Sequence, residues 1–479
     1  MISNMKTFLY ALLLGTLALS GCKKWLDVKP EDKFLEEQLY ASPQGFADAL
    51  NGLYIRHASS DMYGGKLTML TMDILAQLYL VPRDHPSYAM YSYQYGDASS
   101  LTTIDSIWTG LYVSIANTNK FLQSLDQYGK VLDSKTKAQY KGEALGLRAF
   151  YYSDLMRMFT KAYTTPDSLT KVLPYYKEVS NNVSEFRPST YVMQQILQDL
   201  DSAQQLLLEN DPAVGQDRVS CKTIDAYRGT RNYSMNYYAV RALKARVNLW
   251  KGDNVTALQE ALFLISQQNK FPWIQSTDLS TPATCNKIFS TEVIFAAENP
   301  KQNDLFNNNF NPTLSDVNLL APNTSGTFIT KTIFESNMSD YRAQYSWKIA
   351  GRPYYTFFKF QDVSSDGLAA NKTVPLIRMG EMYLIAAECQ PDLSLALSYI
   401  NSIRIHRNLT ALPGPITAGQ LSTTIMKEYR REFYGEGQLF FYYKRTKAFS
   451  VIGAATNAAV TMSDAKYTFP VPLSETTPR

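Results

Sequence analysis

Two glutamates, Glu432 and Glu436, stand four residues apart, a spacing that puts both carboxylates on one face of a continuing helix. Paired carboxylates are what glycoside hydrolysis requires, one as acid and one as base or nucleophile. Arg430, Arg431, Lys444 and Arg445 lie close by, however, and Gly435 and Gly437 are expected to end the helix. The pair therefore reads as structural ion pairs at a helix stop, and no catalytic residue is assigned. Arg148 with Glu143, near Asp154 and Arg157, reads as a buried ion pair fixing helix packing, and so does Arg378 with Glu381. The three histidines, His57, His85 and His406, are scattered. The four cysteines, Cys22, Cys221, Cys285 and Cys389, have neither zinc-finger nor thioredoxin spacing. No acidic loop has an EF-hand pattern. No metal or cofactor is expected.

Rings are the other residues that can do chemistry here, by binding. The chain has 33 Tyr, 23 Phe and 5 Trp in 479 residues. A tyrosine has an apolar body and a polar tip, so it suits half-buried surfaces that meet polar ligands. Tyr88, Tyr91, Tyr93 and Tyr95 fall in a stretch rich in Gly, Asp, Ser and Pro. Tyr91, Tyr93 and Tyr95 alternate, so an extended backbone would point them to one side. Trp273, Trp347, Tyr354 and Tyr355 fall in a second segment without helical periodicity. These eight are the candidate ligand contacts, because a sugar's C–H face packs on a ring while neighbouring Asn, Asp and Arg bond its hydroxyls. The competing assignment is that they pack loops onto helices or meet a partner. A net charge of +4 with no long basic block gives no pull toward nucleic acid.

Cys22 is expected to carry a lipid. Lys6 supplies a positive start, Phe8 to Leu19 is an apolar run too short to span a bilayer comfortably, and Leu19-Ser20-Gly21-Cys22 resembles the bacterial lipoprotein cleavage box. Each buried lipid methylene adds about 0.8 kcal/mol, and several chains together make a stable tether. Residues 1–21 are thus read as signal, 22–40 as an extended lead-in, and 41–479 as one domain. Cys389 reads as a small buried hydrophobe. A bridge between Cys221 and Cys285 stays open in an oxidising compartment.

The elements that must position these residues are mainly helical. Ser42-Pro43 starts a helix. Further helices are expected over 105–125, 134–159 and 189–209. Asn236 to Trp250, a break at Lys251-Gly252-Asp253, and Val255 to Ile265 form a tetratricopeptide-like hairpin; Met379 to Cys389 and Ser394 to Ile405 repeat the pattern. The scaffold is placed at about 41–270 and 376–450. Residues 60–100 read mainly as loop, with a short helix at 67–80. Residues 271–375 read as a loop-rich insertion with short strands at 292–296 and 357–360. Loops on a rigid scaffold are where binding usually resides.

Several runs, in order, resemble the SusD/RagB outer-membrane lipoproteins: Leu26-Asp27 and Pro30 after Cys22, Glu143 to Leu155 (EALGLRAFYYSDL), Pro375 to Glu388 (PLIRMGEMYLIAAE), Asn401 to Arg404, Glu428 to Gln438 (EYRREFYGEGQ) and Tyr467 to Pro472 (YTFPVP). Phe440 stands where that family often has Trp, and an acidic residue near Tyr442 is missing. The resemblance implies a mainly α fold with tetratricopeptide-like hairpins and a loop-rich face. It also implies a lipid-anchored, surface-exposed glycan-binding protein of the outer membrane. Such a protein delivers cargo to a SusC-like TonB-dependent barrel without cutting it. A peptide-binding relative and a lipid-anchored hydrolase are the alternatives.

Overall fold

A computed structural model describes residues 31–163, 169–180, 182–219, 231–365 and 368–476. Cys22, Cys221 and the possible bridge from Cys221 to Cys285 lie outside the described residues. The chain opens on helix α1, Glu31–Leu39, where the sequence suggested an extended lead-in. Leu35, Glu36 and Glu37 are good helix formers. Tyr40 just beyond them stacks on Tyr128 and packs on Phe46, which holds the helix end down. In α2, Pro43–His57, the Ser42 hydroxyl accepts from Gly45 N at 3.2 Å.

Helix α3, Ala98–Tyr128, is longer at its start than the spacing predicted, because Asp97 caps it by accepting from Ser99 N. It packs on α4, Ser134–Phe159, and α4 packs on α5, Ser189–Asn210. Between them runs a two-stranded antiparallel ladder of β1, Lys171–Pro174, and β2, Phe186–Pro188. The expected hairpins follow. Helix α6, Tyr237–Lys251, ends at Gly252, whose φ of 88° lies in the left-handed region that glycine adopts without a Cβ clash. Asp253 then caps α7, Asn254–Ile265. Ala242, Ala245, Ala257 and Ala261 are fully buried and let the two helices approach closely. Helices α9, Met379–Cys389, and α10, Leu393–Ile405, make the second hairpin, opened by Asp392 accepting from Ser394 N and Leu395 N. Helix α9 is buried on almost all sides because α7, α10 and α11, Ala418–Glu432, surround it. Among the described residues, no helix is long and apolar enough to cross a membrane.

The segment between the hairpins is irregular, yet its ends are stapled. Strand β3, Val293–Glu298, pairs antiparallel with β6, Thr373–Arg378, Val293 opposite Arg378 and Glu298 opposite Thr373. Helix α8, Gln302–Asn309, and the small pair β4, Trp347–Lys348, and β5, Thr356–Phe357, lie between. The strand expected at 357–360 is therefore cut short. The pairing stops at Phe357, and Phe358, Lys359 and Phe360 are all buried instead of alternating between a buried and an open side. Helix α12, Leu439–Arg445, and the hairpin of β7, Ser450–Gly453, and β8, Ala458–Thr461, complete the fold.

A buried ion network joins these parts. Glu432 accepts from Arg378 Nη1 and Arg342 Nη1, each at 3.0 Å, and from Arg407 Nε and Nη2. Glu436 accepts from Arg378 Nε at 2.9 Å and from Lys359. Arg407 also clamps Glu292 at 2.8 and 2.6 Å. Arg342, Arg431 and Arg404 converge on Glu428. Burial alone would raise the Glu432 carboxyl, but Arg407, Arg378 and Arg342 hold it well below the usual carboxylate range. Next to the network, Asp73 accepts from Gly435 N at 2.6 Å and Gly437 N at 3.0 Å. Both glycines have positive φ, and a Cβ on Gly437 would sit 2.7 Å from Leu67 O. Burial pushes the Asp73 carboxyl up to about 8 despite these two bonds.

Glu432→Gln leaves three buried guanidiniums short of a negative partner and should cost about 3–5 kcal/mol in urea unfolding. Because the folded pKa of Glu432 is depressed, its contribution is present above an unfolded pKa of about 4.3 and is lost as pH falls through the folded value. Asp73 has the opposite sign. Its raised folded pKa gives stability that is present below its unfolded value of about 3.9, and that is lost as pH rises toward about 8. Asp73→Asn should flatten that part of the stability–pH curve; an unchanged slope in parallel melts would contradict the assignment.

Candidate binding surface

The two carboxylates that could have been an acid–base pair are held as ion pairs: every oxygen of Glu432 and Glu436 is bonded to a buried cation. The expected pairs Arg148–Glu143 and Arg378–Glu381 do not form, although all four residues are ion-paired to residues farther away along the chain. Arg148 clamps Asp199, Glu143 takes Arg231 and the Tyr54 hydroxyl, Arg157 takes Asp154, and Glu381 takes Arg246 rather than Arg378. Among the described residues no group of three or more His, Cys, Asp or Glu is arranged to hold a metal ion. Cys285 and Cys389 are free and buried, and burial pushes the Cys389 thiol up to about 12.

Most of the candidate rings turn inward. Trp273 is 6 % exposed and stacks on His406 at 4.8 Å, beside Arg407 of the ion network. Trp347 is buried against Phe357 and Tyr434. Tyr354 packs with Leu319 and Ala321. Tyr93 and Tyr95 donate their hydroxyls to Leu75 O at 2.7 Å and Lys466 O at 2.6 Å. The expected alternation of Tyr91, Tyr93 and Tyr95 fails because the backbone is not extended. Tyr88–Tyr91 is one helical turn, and Tyr93 has a φ of 60°. Tyr93 keeps part of its surface open although its hydroxyl is engaged, and Tyr88, Tyr91 and Tyr355 are likewise half-buried.

These three lie on loops that are tied to one another. Gln77, itself left-handed at φ 62°, donates through Nε2 to Tyr91 O at 2.9 Å and accepts from Ala454 N at 2.8 Å. Leu80 N donates to Ala321 O at 2.7 Å, and Asn323 N donates to Ala454 O at 3.1 Å. Gly326, three residues on, faces the Tyr355 ring. The far end of the β7–β8 hairpin is held as well. Lys466 donates to Thr461 O at 2.6 Å, and its ammonium lies 5.2 Å from the Tyr93 ring centre. The segments 77–95, 319–327 and 354–356 and the hairpin are thus tied to one another, and their open residues make up the candidate face.

The chain leading into the hairpin carries a ring that sequence reasoning missed. Phe449, immediately before β7, is 74 % exposed. Period-two alternation would have paired it with buried Val451. The left-handed turn at Lys447, φ 53°, redirects the chain, and nothing in the residue types announces that turn. Arg83 and Asp84 are exposed on the same loop as Tyr88, and their side chains make no bond among the described residues. Open rings beside free donors and acceptors can hold a ligand that has both apolar faces and hydroxyls.

Two family models match the chain: one described as "Starch-binding associating with outer membrane", over residues 24–226, and one for the SusD family, over residues 291–476. No curated protein matches it. Among solved structures, a SusD superfamily protein from Bacteroides thetaiotaomicron aligns with a TM-score of 0.71 at 20 % identity, covering 91 % of this chain and 97 % of that one. A SusD-like carbohydrate binding protein from Bacteroides vulgatus gives 0.70 at 17 %, covering 91 % and 96 %. A SusD superfamily protein from Bacteroides fragilis gives 0.67 at 21 %, covering 91 % and 98 %. The matched segments, the hairpin scaffold and the loop-rich face agree, and the chain belongs to the SusD/RagB family.

Proposed function

We propose that this protein captures glycan at the cell surface and hands it intact to a SusC-like TonB-dependent barrel in the outer membrane. The carrying observation is the loop face: Tyr88, Tyr91, Tyr355 and Phe449 keep open ring surface on segments pinned to a rigid helical scaffold. A sugar ring stacks on such a surface and its hydroxyls reach Arg83 and Asp84. Pre-set loops lower the ordering cost of binding. The family's starch-binding description and the carbohydrate-binding relative from Bacteroides vulgatus support the same ligand class. Binding without bond breaking fits the ion-paired state of Glu432 and Glu436. The lipid on Cys22 would hold the protein beside its barrel, with no cofactor needed.

Tyr88→Ala combined with Tyr91→Ala should weaken binding of an array-selected oligosaccharide by about 10- to 100-fold, in line with aromatic contacts worth ~1–3 kcal/mol. Its melting temperature should change little. Tyr93→Phe should do the reverse, lowering stability and sparing affinity, since its hydroxyl holds Leu75 O. Isothermal titration beside thermal melts separates the two. Tight binding of oligopeptides with none of oligosaccharides would turn the reading toward a peptide importer. Cys22→Ser should release the protein from membranes and remove radiolabelled fatty acid; retention without lipid would contradict the anchor.

A further inference from the structure

A second concave site lies away from the loop face. A cleft of about 1060 Å³ opens between α3, α4 and α5 and is closed by the chain at 177–179. Its floor is built from buried polar groups. Arg148 binds Asp199 with two bonds of 2.7 Å and donates to Asn119 Oδ1 at 2.9 Å and Lys177 O at 2.8 Å. Asn119 Nδ2 in turn donates to Tyr176 O at 2.9 Å. These contacts saturate the floor and hold the closing segment in place. The rim is different in kind. Gln198 and Gln205 project from α5, exposed, and their side chains make no hydrogen bond among the described residues. The rim's charges balance: Lys141 pairs with Asp126 at 3.2 Å, Asp201 with Lys244 at 2.7 Å, and exposed Lys177 is followed by exposed Glu178.

An adjoining groove of about 410 Å³ shares Asn119, Glu178 and Val179 with this cleft. Tyr112 and Tyr176 line it with ring centres 6.0 Å apart, and Trp108 stands 4.8 Å behind Tyr112. An aromatic wall leading into a neutral cleft rimmed by free amides suits a ligand with C–H faces and many uncharged hydroxyls. Glu178 and Glu475 on the groove's lining repel an anionic ligand, the cleft itself offers a charged ligand no net opposite charge, and a greasy one would strand the amides.

We infer that this cleft is a second carbohydrate site, for a neutral oligosaccharide segment packed against the edge-to-face pair Tyr112 and Tyr176 and hydrogen-bonded by Gln198 and Gln205. The inference rests on the proposed glycan-binding function. Tyr112 lies fourteen residues, about 21 Å at 1.5 Å per residue, along α3 from Ala98, the helix end that follows the loop of Tyr88 and Tyr91. Two sites on one rigid body hold a long chain or two branches more firmly than either alone.

The test is titration calorimetry on the full chain with maltoheptaose, xylohexaose and cellohexaose. Wild type should bind its best ligand at two sites. Tyr88→Ala/Tyr91→Ala/Phe449→Ala should keep one, and adding Gln198→Ala/Gln205→Ala should weaken that one about tenfold. Gln205→Trp, which fills the cleft from its rim, should abolish it. If the loop-face variant binds nothing, the cleft is not a sugar site and the proposed function stands unaffected. If wild type binds none of the three sugars, both readings fall. If the cleft takes a neutral peptide and no sugar, the inference is wrong.

Discussion

The structure depends on the attraction between the Glu432 carboxylate and the guanidiniums of Arg342, Arg378 and Arg407. These charges come from α11, from the end of β6, from the short helix at Tyr341–Ser346 and from the turn after α10. Each is almost wholly removed from water. Alone, any one of them would be costly to bury. Together they fix where the irregular insertion meets the hairpins. Hydrophobic contact alone would leave that junction free to slide, because apolar packing has no direction. Ionic hydrogen bonds do, and they tie the end of β6 to the end of α11 in one arrangement.

The candidate binding face is a consequence of that arrangement. Asp73 takes its two backbone bonds from Gly435 and Gly437, directly after α11, and so ties the loop at 62–95 to the network. Gln77, four residues on, passes the constraint to Tyr91 and to the β7–β8 hairpin. The path from buried charge to open ring is therefore short and made of hydrogen bonds. It explains how a segment with little regular structure can present rings in a set geometry. It also explains why Trp273 and Trp347 are not on the surface, since both pack onto the residues around the network.

Helices and hairpins were legible in the residue pattern because their periodicity is local. The break at Lys251-Gly252-Asp253 and the alanines on either side predict the α6–α7 hairpin almost to the residue. Ion pairing was legible in kind but not in partner: Arg148 meets Asp199, 51 residues away, and Arg246 meets Glu381, 135 residues away. The candidate face was the least legible. Whether Tyr91, Tyr93 and Tyr95 share a side depends on left-handed turns at Gln77 and Tyr93, and these are stabilised by bonds to distant carbonyls. Phe449 carried no mark at all. Its exposure is set by a turn at Lys447 that a residue of its type seldom makes.

The most direct test of the central claim, that pinned loop rings hold glycan and leave it whole, is a crystal structure of the full chain bound to its array-selected oligosaccharide. The account predicts an uncut chain lying across Tyr88, Tyr91 and Phe449, with Glu432 and Glu436 still paired to their arginines. Cleaved product, or sugar seated against those two glutamates with the loop face bare, would contradict it.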